Sequence, residues 1–102
     1  MRGDEWTDDE FLVCLAFYST VQYPKVFSEE LIKECAALMP NRSTSSIGLR
    51  LANFVARDPI MIHLGHKGMS GGGRNVDIAW SKFSNHVGEL DRDKLILKLL
   101  ER

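Results

Sequence analysis

Residues 42–59, RSTSSIGLRLANFVARDP, read as one helix with two faces of different chemistry. Ser43 suits the N-cap, because its hydroxyl can accept from an orphaned backbone N–H of the first turn. Asp58-Pro59 stops the helix, because a proline biases its predecessor away from helical backbone. Between them Ile47, Leu51 and Phe54 recur at i, i+4 and i+7 and form an apolar stripe. The other face carries Ser46, Arg50, Asn53 and Arg57, with no carboxylate among them. An arginine can fork onto guanine or phosphate, an asparagine can pair bidentately with adenine, and a serine can bond either. An apolar back in a small core with such a front is what a major-groove reader needs. The same spacing also fits an ordinary solvated face, and Asn53 has a second available role, a buried amide tying the helix to the loop that follows.

Two further helices precede this one. Thr7 is an N-cap with Glu10 at N3, which completes a capping box, and Trp6 and Phe11 stand at the two positions of a hydrophobic staple. Asp8 and Asp9 suit the positive end of the helix dipole, so the acidic cluster 8–10 needs no catalytic explanation. Phe11, Leu15 and Tyr18 run down one side, with Leu12 and Ala16 beside them. A turn is expected around Gln22-Tyr23-Pro24. Ser28 caps the second helix, whose apolar side is Leu31, Ile32, Cys35, Leu38 and Met39. Met39-Pro40-Asn41-Arg42 is a tight link into the third helix. The expectation is a mostly α fold, with a helix-turn-helix-like trihelical unit.

After the Asp-Pro stop, Ile60-Met61-Ile62 fits a short extended segment, one arm of a small wing. Residues 65–75, GHKGMSGGGRN, then hold five glycines and two cations, Lys67 and Arg74. Glycine permits positive φ and close approach of backbone N–H groups to a phosphate. The Gly-Lys-Ser/Thr ending of a P-loop is missing, which argues against nucleotide hydrolysis. A plain flexible connector is the competing reading. Two C-terminal helices follow. One places Val76, Trp80, Phe83 and Val87 on an apolar face and ends at Gly88. The other is capped by Asp91 and carries Leu95, Ile96, Leu97, Leu99 and Leu100, an apolar surface wide enough to pack on the domain or to form a homodimer contact.

The first half of the chain resembles the Myb/SANT pattern: a tryptophan-led helix (Trp6, Glu10), then Asn41-Arg42-Ser43 and Arg50, with Phe54 where a later tryptophan is usual. A longer resemblance runs through WTDDEF, NRSTSSIGLRLANF, the Asp58-Pro59 step, the glycine stretch and Asp77-x-x-Trp80-x-x-Phe83. This order is similar to the N-terminal domain of bacterial HNH restriction-type endonucleases of the McrA-like, modification-dependent kind. Arg42, Ser45, Ser46, Leu51, Ala52, Asn53, Phe54, Asp58 and Pro59 match that family's third-helix signature outright. The resemblance implies double-stranded DNA as partner, a restriction-type setting, and in some relatives the sensing of modified DNA such as phosphorothioate. It also implies an HNH nuclease domain as neighbour or partner, present as a continuation of an excised domain or as a separate chain. The Cys-x-x-Cys pair and His-Asn-His constellation of such nucleases are not in this sequence, so no catalytic residues are expected. The residues expected to meet DNA are Arg42, Ser45, Ser46, Arg50, Asn53, Arg57, Lys67, Ser70, Gly71, Gly72 and Arg74. The competing function is a SANT-like module that reads a protein tail.

Composition bounds these readings. The chain has 102 residues, 44% apolar and 26% charged, which fits one globular domain spanning 1–102. No apolar run approaches the roughly 20 residues of a membrane span, and the acidic N-terminus lacks the apolar region of a signal peptide. Cys14 and Cys35 fall on apolar helix faces, so reduced core thiols and a cytoplasmic setting are expected. His63 and His66 have no cysteine near them in sequence, and neither a metal nor a cofactor is expected. The net charge of −1 hides an uneven distribution: residues 1–40 carry −5, residues 41–86 carry +4, and residues 87–102 are balanced. Such a division allows a one-sided phosphate-binding surface.

Overall fold

The computed structural model describes residues 5–102 and contains six α-helices there: α1 Asp8–Thr20, α2 Glu29–Ala37, α3 Thr44–Val55, α4 Pro59–His63, α5 Gly73–Lys82 and α6 Arg92–Leu100. The caps are those the sequence specifies. Thr7 accepts from Glu10 N and Glu10 accepts from Thr7 N, closing the capping box. Ser28, Ser43 and Asp91 cap α2, α3 and α6 with their side chains. The Trp6 and Phe11 rings lie 5.5 Å apart, so the hydrophobic staple forms as well.

α1 is the centre of the molecule and packs against α2, α3, α5 and α6. That position explains why it buries Val13 and Cys14 as well as Phe11, Leu12, Leu15 and Tyr18: a helix surrounded by others is apolar on most of its circumference. α3 buries Ile47, Leu51 and Phe54 against it, as the stripe requires. Tyr18, Phe54 and Trp80 meet in the core with centroids 5.7–6.1 Å apart, two of the three pairs edge-to-face. Trp80 Nε1 donates to Gly88 O at 2.9 Å, which satisfies its one polar atom.

Two expectations are corrected. Ile60-Met61-Ile62 is not extended but belongs to α4, because Asp58 Oδ1 accepts from Ile60 N at 3.0 Å and Pro59 stands at the first helical position, where a proline starts a helix. The two helices expected after the glycine loop are both present, as α5 and α6. The helix after the glycine loop ends at Lys82, and Val87 lies beyond it, 57% exposed. Asn85 Oδ1 accepts from both Val87 N and Glu89 N at 3.0 Å, an Asx turn that competes with helix continuation. α6 buries Leu95 and packs Leu99 against the core, while Ile96, Leu97 and Leu100 stay exposed.

The linker before α2 and the α3–α4 corner are joined by a buried polar hub. Asp58 Oδ2 accepts from the Tyr18 hydroxyl at 2.6 Å and from the Tyr23 hydroxyl at 2.7 Å. Burial first, and then the Asp58 carboxylate, push both phenol pKa values up. Lys25 is 6% exposed, donates to Tyr18 O at 2.9 Å and to Val21 O, and sits 4.7 and 4.4 Å from the Tyr18 and Tyr23 ring centroids. Its pKa is lowered by burial, against which the Asp58 charge works. Every polar atom brought inside here has a partner, which is what makes such burial tolerable.

Candidate nucleic-acid interface

The cations expected on the third helix are engaged inside the molecule. Arg42, one residue before the α3 N-cap, forks onto Glu10 with both contacts at 2.9 Å and also donates to Glu5 O at 2.6 Å. Its guanidinium lies 5.4 Å from the Trp6 ring centroid. The hydrogen bonds from Arg42 hold the Glu10 carboxyl below its ordinary range, against the opposing effect of burial. Arg42 thus locks the start of α1 to the α2–α3 link. Arg57 donates to Asp77 at 2.8 Å and to Asn53 O at 3.1 Å, which ties the end of α3 to α5. It too is a fold contact.

Arg50 and Asn53 do not project into solvent. Arg50 stacks over Trp6 at 4.8 Å and Phe11 at 5.8 Å, and its Nε is buried without a hydrogen-bond partner. Burial lowers its pKa, although a guanidinium stays protonated at any ordinary pH. Its Nη1 donates to Asn53 Oδ1 at 2.9 Å, and Asn53 Nδ2 donates to Met69 O at 2.7 Å. Asn53 is 1% exposed and has both ends of its amide occupied, and it ties the helix to the loop. The reason is tertiary: Gly68, Met69 and Gly72 lie against the C-terminal half of α3, at Arg50, Ala52, Asn53 and Ala56. Of the serines, Ser45 is exposed, and half-buried Ser46 donates to Ser43 O at 3.1 Å.

The glycine loop is where the expected contacts remain outward. Residues 62–75 are exposed throughout, including Lys67, Ser70, Gly71, Gly72 and Arg74, and the sequence places no carboxylate between Asp58 and Asp77. Gly65, Gly68, Gly71, Gly72 and Gly73 all have positive φ. At two of these the reason is close approach: a Cβ on Gly68 would stand 2.5 Å from Ala52 O, and one on Gly72 2.7 Å from Arg50 Nη1. The first turn of α5 follows directly, with Gly72 as a cap that offers no side chain to its N–H groups. Those groups and the dipole favour a negative ligand on that side.

Other chemistry is absent from this surface or lies elsewhere. Cys14 and Cys35 are free and both fully buried, which keeps either thiol from a substrate; their mutual contact raises the Cys14 pKa and lowers that of Cys35. No cluster of three or more metal-ligating side chains forms among the described residues, and no helix there is long and apolar enough to cross a membrane. A groove of about 410 Å³ opens between α1, α5 and α6, strapped by Lys82–Asp8 at 4.0 Å and Arg102–Asp9 at 3.0 Å. A scan of family models and searches of curated proteins and of solved structures find no match to this chain.

Sequence reasoning placed the exposed cations and glycines of the loop but missed what the loop rests on. The matched spacing of Gly68 and Gly72 could have signalled close packing, but not the partner. Nothing in the sequence distinguishes an arginine that faces a ligand from one that faces Trp6.

Proposed function

We propose that this chain is a double-stranded DNA-binding module without catalytic activity of its own, whose contact surface is the glycine-rich loop and the first turn of α5. The observation that carries the reading is the exposed, carboxylate-free run from Ile62 to Asn75, with Lys67 and Arg74 outward and uncapped N–H groups at its end. Phosphate contacts of this kind position a protein on DNA without reading its sequence. Arg50 and Asn53 support the loop, and Ser45 at the open end of α3 is available for a base-edge contact. The resemblance to HNH-associated domains supports a cytoplasmic, restriction-type setting with an HNH nuclease as partner, and modified DNA such as phosphorothioate as the ligand. The exposed Ile96, Leu97 and Leu100 on α6 are the apolar surface available to a partner subunit.

A SANT-like protein-interaction role is the second reading. One observation favours it: Arg50 and Asn53 of α3 are engaged by Trp6, Phe11 and Met69 within the fold. Titration against plain, base-methylated and phosphorothioate duplexes at several salt concentrations separates the two. With Arg42 and Arg57 engaged internally, about two or three phosphate contacts are expected, and a log–log salt slope of about −2 to −3. Affinity that does not depend on salt, or no binding to any duplex at low salt, supports the protein-interaction role instead.

A further inference from the structure

We infer that Asn53 and Arg50 are positioning residues: they hold the glycine loop seated on α3 in the shape that meets DNA, and neither touches the ligand. This rests on the DNA-binding reading of the loop. Met69 is bonded to α3 through both of its peptide groups. Its N–H donates to Ala52 O at 3.0 Å, and its carbonyl accepts from Asn53 Nδ2 at 2.7 Å. The glycines on either side of it make that double bonding possible. A Cβ on Gly68 would meet Ala52 O at 2.5 Å and Ala56 N at 2.6 Å, and one on Gly72 would meet Arg50 Nη1 at 2.7 Å and Asn53 Oδ1 at 2.8 Å. The loop is therefore seated by contact, and its glycines serve closeness more than flexibility.

Arg50 decides which way the Asn53 amide points. A guanidinium only donates, so the oxygen of Asn53 must face Arg50 and its NH2 must face the Met69 carbonyl. Arg50 is itself held over Trp6 and Phe11, in the rings that staple the start of α1. The chain of contacts thus runs from the core to the loop through one donor-only group and one amide.

Asn53→Asp separates this role from simple packing. It keeps the shape and the acceptor for Arg50 but turns a carboxylate oxygen toward the Met69 carbonyl. Asn53→Ala removes both bonds. In each variant the Met69 amide, followed by hydrogen exchange in the free protein, should exchange about tenfold faster or more, while amides in α1 keep their protection. If the seated fraction falls to about a tenth, Asn53→Ala binds duplex about tenfold more weakly. Its salt slope stays that of the parent protein, because the bound complex makes the same phosphate contacts. Lys67→Ala should instead lower the slope by about one unit. Arg50→Lys retains a donor and should recover part of the affinity lost in Arg50→Ala. Should either Asn53 variant fail to fold, Gly72→Ala displaces the loop from outside with Asn53 intact and should give the same faster exchange. Unchanged Met69 exchange, parental affinity for Asn53→Ala, or a slope reduced by about one unit in Arg50→Ala would each overturn the positioning role. If the parent protein binds no duplex, the DNA reading fails, and the exchange result alone still decides whether Asn53 clamps the loop.

Discussion

The cations of α3 and its flanks and the cations of the glycine loop look alike in the sequence and differ in the folded chain. Arg42, Arg50 and Arg57 reach back to Glu10, to Trp6 and Asn53, and to Asp77. Lys67 is exposed on the loop, and Arg74 is exposed in the first turn of α5. The first group is bonded to or stacked on neighbours within the fold, and removing one takes a partner from them. The second group is exposed, and its removal is expected to leave the fold as it was. A basic face in a sequence therefore divides into cations that build a surface and cations that present it.

The comparison can be broken at several strengths. The largest effect belongs to the apolar back of α3: Phe54→Ala should cost about 3–5 kcal/mol, enough to threaten a domain of this size. A melting temperature close to the parent's would mean that the helix faces are misassigned. Arg42→Ala should cost roughly 1–3 kcal/mol, since Glu10 keeps only a fraction of its partners. Parental stability in chemical denaturation, together with a lower DNA salt slope, would move Arg42 into the presenting group. Gly68→Ala should cost roughly 1–3 kcal/mol, because its φ of +63° and the Ala52 carbonyl both oppose a Cβ. Ordinary expression and unchanged unfolding would show that the loop is not seated on α3.

Acid sensitivity sharpens the same division. Glu10 has its folded pKa below the ordinary 4.5, so its pairing with Arg42 contributes stability above about that pH. That contribution is lost as pH falls through the folded value. Glu10→Gln should flatten the acid limb of the stability profile below about pH 4.5, and an unaltered limb would show that Arg42 does not depend on it. The smallest stability effect is expected in the loop: Lys67→Ala and Arg74→Ala should stay within about 0.5 kcal/mol of the parent. Each should nonetheless lower the duplex salt slope by about one unit.

Local chemistry was legible from one end of the chain to the other. Thr7, Ser28, Ser43 and Asp91 announce their helices because a cap is a contact among residues two or three apart. The Ile47, Leu51 and Phe54 stripe announces its buried side because helical period is a local property. Ile60-Met61-Ile62 was misread because a three-residue apolar run has no period to judge, and only the carboxylate of Asp58 turned over its N–H groups makes it a helix. Val87 was placed one turn too far along the helix because Asn85 ends it through a turn that the apolar spacing does not register.

What the sequence by itself determined is the mostly helical class, the starts of the helices, the buried stripe of α3, and an exposed glycine loop carrying Lys67 and Arg74. The tertiary structure alone decided that this loop lies on α3, that Asn53 faces Met69 and Arg50 faces Trp6, and that Tyr18, Tyr23 and Lys25 gather around Asp58. The physical reason is range. Caps and periodicity are set by neighbours a turn away, whereas the side on which an arginine or an asparagine finds its partner depends on which distant segment comes to lie over it.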